Sequence, residues 1–365
     1  MKHYKISFYE EFSCAMGECP NTCCKGWRIV FDGETYHRYL NEPGKTGKRL
    51  RSAIKKIDGD VYLRGSLRRC KFYEKSGLCR LQRTTGTDYI PEVCRVFPRF
   101  RQHYGFFSEE TLFLSCPVAA RLFLAHLDDL AFVESPSAVD YERWGTNEDE
   151  AYLCWLESLR GEMICLLSDR GKSRGEIFGQ LMAAMRDAQQ ACIDGRELAP
   201  AAKLMQAHEG APELCIDAAT TDRLITGGFY HSLLKRISPK LYALCRLYFR
   251  IFDKLSISQA DARAEELRSA LHEKQPHVEC VLRGYMVYYI QMVFLEVYED
   301  YSFIKKLACG VMHVHMLELF LALHFEEAKS LTDEELALLL SIYERRGRHN
   351  SEVAESMYER LYPAL

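Results

Sequence analysis

The sequence predicts a mainly α protein in which a cysteine-rich N-terminal subdomain with short strands is followed by a helical bundle. Eight of the fifteen cysteines lie within the first 116 residues. Short β-like runs separated by turn glycines occupy the same region. After Cys116, apolar residues recur at three- and four-residue steps, which is the period of an amphipathic helix. We therefore expect a cysteine-rich subdomain over residues 1–120 and a helical domain over residues 121–365.

Each predicted strand of the N-terminal part is short. The expected strands are residues 5–8, 27–31, 60–63, 104–107 and 111–114. The Ser108-Glu109-Glu110 segment is expected to form the turn between the last two strands.

The helices after Cys116 are predicted from their period and their capping residues. The apolar period predicts helices over residues 118–132, 149–167 and 174–193, and the weakly patterned residues 194–220 predict a long connection. Four further helices are expected: one that begins at Pro239, one capped by Ser258, one from residue 276 to 298, and one headed by a capping box of Thr332 and Glu335.

Composition excludes several classes of protein. Hydrophobic residues make up 48% and charged residues 27% of the 365 residues, as in an ordinary globular protein. The apolar stretch at residues 285–295 is shorter than the roughly 20 residues that a membrane-spanning helix needs. Glu10 and Glu11 stand where a secretory peptide would be apolar. We expect a cytoplasmic protein without a membrane partner.

Charge is distributed unevenly along the chain. Residues 1–120 contain 21 Lys and Arg against 13 Asp and Glu, a net charge of +8, whereas the whole chain carries −3. Residues 45–71 hold ten basic and two acidic side chains. This basic face could attract nucleic acid, an acidic protein or an anionic cofactor, or be a solvated surface. Because it lacks the interleaved aromatic residues of a single-strand binding surface, we expect no nucleic-acid partner.

The N-terminal cysteines are spaced like metal ligands rather than like a disulfide framework, since short spacings in a reducing compartment favour metal or redox chemistry. Thiolates bind zinc or the irons of a cluster. No Cys-x-x-Cys pair occurs, which favours an iron–sulfur site over a zinc finger. Four ligands of one cluster are expected among eight candidates: Cys14, Cys19, Cys23, Cys24, Cys70, Cys79, Cys94 and Cys116. Of the adjacent pair Cys23 and Cys24, one is expected not to be a ligand.

Several segments together resemble the flagellin lysine-N-methylase family. The resemblance rests on YKISFYEEFSCAMGECPNTCCKGWRIVFDGETY, CKFYEKSGLCRLQ, VCRVFPRF and LFLSCPVAARL, and more loosely on GYMVYYIQMVFLE and ERRGRHN. The middle two segments also resemble, more distantly, cysteine-cluster proteins with a Cys-Arg-x-Phe-Pro motif. The resemblance is good over residues 1–122 and is limited to helical character between about residues 125 and 280.

The resemblance implies an S-adenosylmethionine-dependent enzyme that methylates lysines of flagellin in the cytoplasm and holds a [4Fe–4S] cluster. The helical domain would then form the cleft for the methyl donor and the substrate. Two sequence features depart from common donor sites: no glycine-rich nucleotide-binding turn follows a strand, and the third cysteine of a Cys-x3-Cys-x2-Cys motif is replaced by Gly26. The alternative is a non-catalytic zinc- or iron-binding cysteine-cluster protein for metal handling or partner docking.

Candidate cofactor-binding residues are Arg95, Arg99 and His349. Arg95 and Arg99 flank Cys94 and Pro98, so they could pair with a thiolate-ligated cluster or with a donor carboxylate. His349, with Arg345 one turn earlier, could bind the donor carboxylate or cap the last helix. No catalytic residue is predicted.

Overall fold

The computed structural model describes residues 2–26, 29–57, 59–66, 69–136, 144–230, 234–349, 355–356 and 358–359. It confirms a mainly helical protein whose N-terminal part contains short strands. Residues 27 and 28 of the predicted strand 27–31 lie outside the described residues.

The strands form one four-stranded sheet and two hairpins. Their bounds are Lys2–Ile6 (β1), Ile54–Ile57 (β2), Asp60–Leu63 (β3), Gly65–Ser66 (β4), Arg69–Cys70 (β5), Arg99–His103 (β6), Phe107–Leu112 (β7) and Phe132–Glu134 (β8). The sheet has the order β6-β7-β1-β8, with β1 parallel to β7 and the other neighbours antiparallel. The hairpins are β2-β3 and β4-β5.

The predicted turn at Ser108-Glu109-Glu110 is wrong. These residues lie inside β7, whose six residues are all buried. Glu109 is paired with Arg160 on a helix, and Glu110 is paired with Arg101 and His3. Because paired carboxylates can be buried, two acids in succession did not mark a turn here. The chain instead turns between β6 and β7 at Gly105, which has φ +80°.

Four short helices accompany the hairpins, and a fifth follows β7. They are Gly33–Asn41 (α1), Gly44–Arg51 (α2), Arg80–Thr84 (α3), Glu92–Val96 (α4) and Pro117–Ala125 (α5). Helix α5 is shorter than predicted, because residues 132–134 pair with β1 as a strand.

Helices make up the rest of the described chain. Their bounds are Asn147–Ser168 (α6), Arg174–Asp194 (α7), Ala201–Ala207 (α8), Ala218–Leu224 (α9), Leu234–Ile237 (α10), Pro239–Phe252 (α11), Ile257–Lys274 (α12), His277–Val293 (α13), Val297–Asp300 (α14), Phe303–Ala328 (α15) and Asp333–Arg346 (α16). The capping box of Thr332 and Glu335 is confirmed, but Ser256 rather than Ser258 caps α12. The predicted connection 194–220 contains α8 and the start of α9.

Two hydrophobic cores hold these elements. The smaller core comprises Phe31, Tyr39, Leu50, Ala53, Leu63, Phe72, Leu81 and Ile90, with Cys70, Cys79 and Cys94 packed against it. The larger core joins the helices to the four-stranded sheet and includes Cys116. The sheet therefore packs with the helical body, and the hairpins and α1 to α4 surround the smaller core. The division at residue 120 stays a prediction.

Two segments are long and apolar enough to cross a membrane by length and composition alone. They are His277–Asp300 and Phe303–Ala328, and 78% and 89% of their apolar windows are buried inside the protein. Burial of this extent is that of core helices, which is how α13 and α15 pack here.

Candidate functional site

Four thiols from four separate segments face one another beside the smaller core. Cys24 lies in the loop after β1, Cys70 ends β5, Cys79 precedes α3, and Cys94 lies in α4. The charge of Cys24 raises the pKa of Cys70, Cys79 and Cys94. Cys70 and Cys79 also raise the pKa of Cys94. The backbone N–H of Cys70 donates to the carbonyl of Cys24 at 2.8 Å, which joins two of the segments directly. We name these four residues the thiol quartet.

Burial governs the protonation of the quartet. Desolvation raises the pKa of Cys70 to about 11, with Cys24 and Cys79 adding to the shift. Burial, then the other thiols, also raises the pKa of Cys94, and burial raises the pKa of Cys79. These shifts disfavour several negative thiolates close together without a cation among them. A bound metal centre would supply that positive charge.

The adjacent Cys23 and Cys24 differ in their surroundings. A hydrogen bond between the two thiols raises the pKa of Cys23 and lowers that of Cys24. Cys24 is the one that acts on both Cys70 and Cys79. Cys23 is affected by Cys94, so both thiols lie near the quartet, and Cys24 is included in it because its carbonyl accepts the hydrogen bond from Cys70.

Three further cysteines form a second group. The charge of Cys14 contributes to the raised pKa of Cys19, and the charges of Cys14 and Cys19 contribute to the raised pKa of Cys116. Cys116 is buried at the N-terminus of α5, whereas Cys14 is exposed. All eight candidate cysteines thus lie in two neighbouring groups with Cys23 beside the quartet.

All fifteen cysteines are free thiols in this structure. Within the described ranges, no three His, Cys, Asp or Glu side chains stand close enough to hold one metal ion. A single tetrahedral zinc ion brings its sulfur ligands to within about 4 Å of each other. A cluster with several irons spreads its ligands over a larger volume than a single ion does.

Arg345, near the end of α16, connects the cysteine loop to the helical body. Its guanidinium donates to the carbonyls of Asn21, Ser115 and Thr22 at 2.8, 2.9 and 3.0 Å, and to the Asn21 side-chain oxygen at 3.1 Å. Only 4% of Arg345 is exposed. We call this set of contacts the Arg345 clamp.

Arg345 is also the cation that faces the thiols. Burial lowers the pKa of Arg345, whereas Cys23, Cys19, Cys116 and Cys24 act in the opposite direction. The next residue, Arg346, donates to the carbonyl of Gly26 at 2.7 Å. The Arg345 clamp therefore holds the loop between the two cysteine groups and places a positive charge beside both.

A buried polar network lies directly behind the clamp. Tyr285 donates to the Glu344 carboxylate, and Arg348 Nε donates to its other oxygen at 2.9 Å. Although burial opposes ionisation, Glu344 keeps the pKa of Arg348 above its ordinary value. Glu344 has no exposed surface, and Tyr285 and Arg348 occupy its two carboxylate oxygens.

The three predicted cofactor-binding residues have different environments. Arg95 lies exposed on α4. Arg99 stacks on the rings of Phe12 and Tyr9, 5.0 and 5.7 Å from their centroids. His349 meets the Phe113 ring edge-on at 4.4 Å, and burial followed by the nearby arginines lowers its pKa to about 2. Their role in binding a cofactor stays a prediction.

The described surface also contains a cleft of about 410 Å³ in the helical body. Leu127 and Leu130 after α5, Ile164 on α6, and Glu279 and Arg283 on α13 line it. Helix α5 is about 14 Å long and separates this cleft from Cys116. The cleft is lined by Cys280 and by none of the eight candidate cysteines.

The sequence missed the function of Arg345 as a clamp and the buried pairing of Glu344 with Tyr285 and Arg348. Arg345 and Glu344 both lie in the ERRGRHN segment, which the resemblance had singled out. The partners of Arg345 in the clamp lie more than 200 residues away along the chain, and no local pattern predicts such contacts.

Comparisons with known proteins point to one family. A profile described as the FliB lysine N-methylase C-terminal domain matches residues 182–363. The chain is 30% identical over 138 residues to the flagellar biosynthetic protein FliU of Salmonella muenchen, a match that covers 36% of this chain and 82% of that protein. No solved structure matches.

Two lysine-N-methylases, from Salmonella typhimurium and Salmonella choleraesuis, are each 30% identical to the chain over 135 residues. Each match covers 35% of this chain and 34% of the relative. The aligned part thus spans about a third of the length of these two enzymes.

The structure is that of a mainly helical protein whose small N-terminal unit carries the thiol quartet. The Arg345 clamp connects this unit to the helical body. The chain belongs to the FliB lysine N-methylase family. The predicted resemblance is therefore confirmed, and the profile match lies in the helical half, where the quoted motifs were the looser ones.

Proposed function

We propose that the chain is an iron–sulfur-dependent protein-lysine N-methyltransferase that acts on flagellin in the cytoplasm, with S-adenosylmethionine as the methyl donor. The observation that carries the proposal is the convergence of four thiols from separate segments in a member of a lysine N-methylase family. The names of the relatives, lysine-N-methylase and flagellar biosynthetic protein, support a lysine on a flagellar protein as the target.

The thiol quartet fits a [4Fe–4S] cluster by its donor chemistry. Cys24, Cys70, Cys79 and Cys94 would supply the four thiolates that such a cluster requires. The backbone N–H of Phe72 points to the Cys70 sulfur at 3.4 Å, and such hydrogen bonds tune a cluster. When bound, the cluster would supply redox chemistry.

The overall reaction transfers one methyl group. The bond between that carbon and the sulfonium sulfur of the donor breaks, and a bond to the lysine nitrogen forms. S-adenosylhomocysteine leaves, and the lysine ammonium gives one proton to solvent. Each transfer increases the mass of the substrate by one methylene unit.

The helical body would contribute the donor cleft. The cleft of about 410 Å³ lies within the range of small-molecule sites, and it combines apolar walls with the charged Glu279 and Arg283. Arg283 is held by Glu279 and by backbone carbonyls at 2.6 and 2.7 Å, so its position is fixed before a ligand arrives. We expect Cys280→Trp, which fills the cleft, to weaken donor binding.

The proposal is tested first by cluster loading. Iron and sulfide are measured on anaerobically purified protein and on variants with serine at each quartet position. We expect each change to reduce iron and visible absorbance strongly, whereas Cys154→Ser and Cys165→Ser, at exposed positions on α6, should leave them unchanged. A colourless protein with stoichiometric zinc would refute the iron–sulfur part and favour a non-catalytic metal-binding protein.

Methyl transfer is tested separately. The loaded protein is incubated with flagellin and S-adenosylmethionine, and the flagellin is analysed by mass spectrometry. We expect methylene-unit increments on lysine-containing peptides. Unchanged flagellin masses with a loaded cluster would refute the methyltransferase.

A further inference from the structure

A row of stacked aromatic side chains crosses the surface between α6 and α14. The row consists of Trp144, Tyr152, Trp155, Tyr298 and Tyr301. Tyr152 lies at its centre, stacked at centroid distances of 5.6 Å on Tyr301, 6.1 Å on Tyr298 and 6.2 Å on Trp155. Trp144 extends the row at 6.5 Å from Tyr298. We call these five residues the aromatic row.

The two ends of the aromatic row are open to solvent. Trp144 is 48% exposed and Tyr301 is 52% exposed. Tyr301 also has a left-handed backbone, with φ 52° and ψ 22°, a conformation that a tyrosine seldom adopts. Tyr301 is the C-cap of α14, and this conformation ends the helix with the tyrosine ring on the row.

Acidic side chains frame the row on both helices. The first turn of α6 contains Glu148, Asp149 and Glu150, and α14 contains Glu299 and Asp300. Tyr298 is hydrogen-bonded to Asp149, and the charge of Glu299 contributes to its raised pKa. These carboxylates therefore lie next to the rings.

Two of these carboxylates are available to a ligand. Asp300 is engaged by Ser302 and by Lys306 at 3.5 Å, and Asp149 completes the capping box of α6. Glu148 and Glu299 are exposed, and among the described residues neither takes part in an ion pair or a side-chain hydrogen bond.

The chemistry of this surface selects a cation with an apolar stem. Ring faces attract ammonium groups, and carboxylates beside them add to the attraction. A lysine side chain lays its aliphatic stem on apolar rings and keeps its charged end near acids. An anionic partner would be repelled by the same carboxylates.

We propose that the aromatic row, together with Glu148 and Glu299, docks a lysine-bearing segment of the protein substrate. This docking role rests on the proposed function, the methylation of lysine. The row would hold an extended, basic stretch of the polypeptide on the outside of the helical body. It binds the substrate and takes no part in the transfer itself.

Binding is measured without the methyl donor, by fluorescence anisotropy of a labelled synthetic peptide of alternating lysine, glycine and serine. The variants are Trp144→Leu/Tyr301→Leu, which keeps apolar contact but removes two ring faces, and Glu299→Gln. Tyr230→Leu is the matched control, because Tyr230 is 39% exposed and stacked on Tyr242 at 5.7 Å elsewhere on the surface. Circular dichroism confirms that each variant is folded.

We expect the double variant to bind about tenfold more weakly, since one exposed cation–π contact is worth about two- to fivefold. Glu299→Gln should weaken binding less and reduce its salt dependence. The control should bind like the unchanged protein, and a peptide with acetylated lysines should bind as weakly as the double variant.

Equal binding by the double variant, or equal binding of the acetylated peptide, would overturn the docking proposal. These results do not depend on methyl transfer. If the peptide binds as expected while flagellin is never methylated, the proposed function fails and the docking surface stands as a lysine-binding site.

Discussion

Replacing Arg345 by leucine should release the cysteine loop from the helical body. The side chain donates to three carbonyls within 3.0 Å and to the Asn21 side chain at 3.1 Å, and almost none of it is exposed. Leucine fills part of the volume but leaves these buried oxygens without their donor. The loop that carries Cys19, Cys23 and Cys24 should therefore open more often.

The size of the effect follows from the contacts. A hydrogen bond to a charged group contributes about 1.5–3 kcal/mol, and a buried acceptor left without its donor costs about 1–3 kcal/mol. Arg346 still holds Gly26, which reduces the loss at the end of the loop. A cost of about 3–4 kcal/mol raises the open population by about 100- to 1,000-fold.

Alkylation of individual thiols measures this opening. The reduced protein is treated with N-ethylmaleimide, and the rate at Cys23 is followed by mass spectrometry, with the exposed Cys215 of the same molecule as reference. We expect the Cys23 rate to rise toward that of Cys215. Loss of the Arg345 charge by itself would raise the pKa of nearby thiols and slow alkylation, so acceleration can only come from opening.

Two further variants complete the experiment. Arg345→Lys keeps the charge but cannot reach all the acceptors, so an intermediate rate is expected. Arg250→Leu changes an arginine that is 71% exposed and should have no effect. A Cys23 rate unchanged in Arg345→Leu would refute the clamp.

Three other predictions concern the fold. Gly179→Ala should destabilise by about 1–3 kcal/mol, because its Cβ would lie 2.0 Å from the Pro212 carbonyl, whereas Gly161→Ala, in open space on α6, should stabilise by up to about 1 kcal/mol; thermal unfolding of both variants decides. Glu109→Ala should cost about 3–5 kcal/mol in urea unfolding, because it strands the buried Arg160, and the double variant Glu109→Ala/Arg160→Leu should recover part of this loss; no recovery would contradict the pairing. Burial, then Arg348, lowers the pKa of His313 from 6.5 to about 3, so the unfolded chain binds a proton that the folded chain does not. His313 by itself should therefore lower stability by up to about 1.4 kcal/mol per pH unit between pH 6.5 and about 3, and His313→Gln should reduce the overall slope by one proton.

Local signals predicted the helices well where periodicity and caps agreed. Helix α7 was expected over residues 174–193 and spans Arg174–Asp194, and α16 begins after its predicted capping box. The predictions that were wrong depended on tertiary contacts. Residues 132–134 pair with β1 instead of continuing a helix. Glu109 and Glu110 lie in a buried strand because Arg160 and Arg101 neutralise them. A local pattern carries no information about such distant partners.

The candidate site shows the same division. The cysteine spacing alone identified the eight candidate thiols, because short spacings and a reducing compartment are properties of the sequence. Which four face one another depended on the smaller core, which packs Cys70, Cys79 and Cys94 around the same apolar residues.

By itself, the sequence determined the helical class, the family resemblance and the set of thiols, since each of these depends on residue type and short-range spacing. Only the tertiary structure decided that Arg345 closes the cysteine loop and that five aromatic rings from α6, α14 and their flanks form one surface. The physical reason is that charge and ring contacts are made between segments more than one hundred residues apart, and their energy depends on burial that only the folded chain creates.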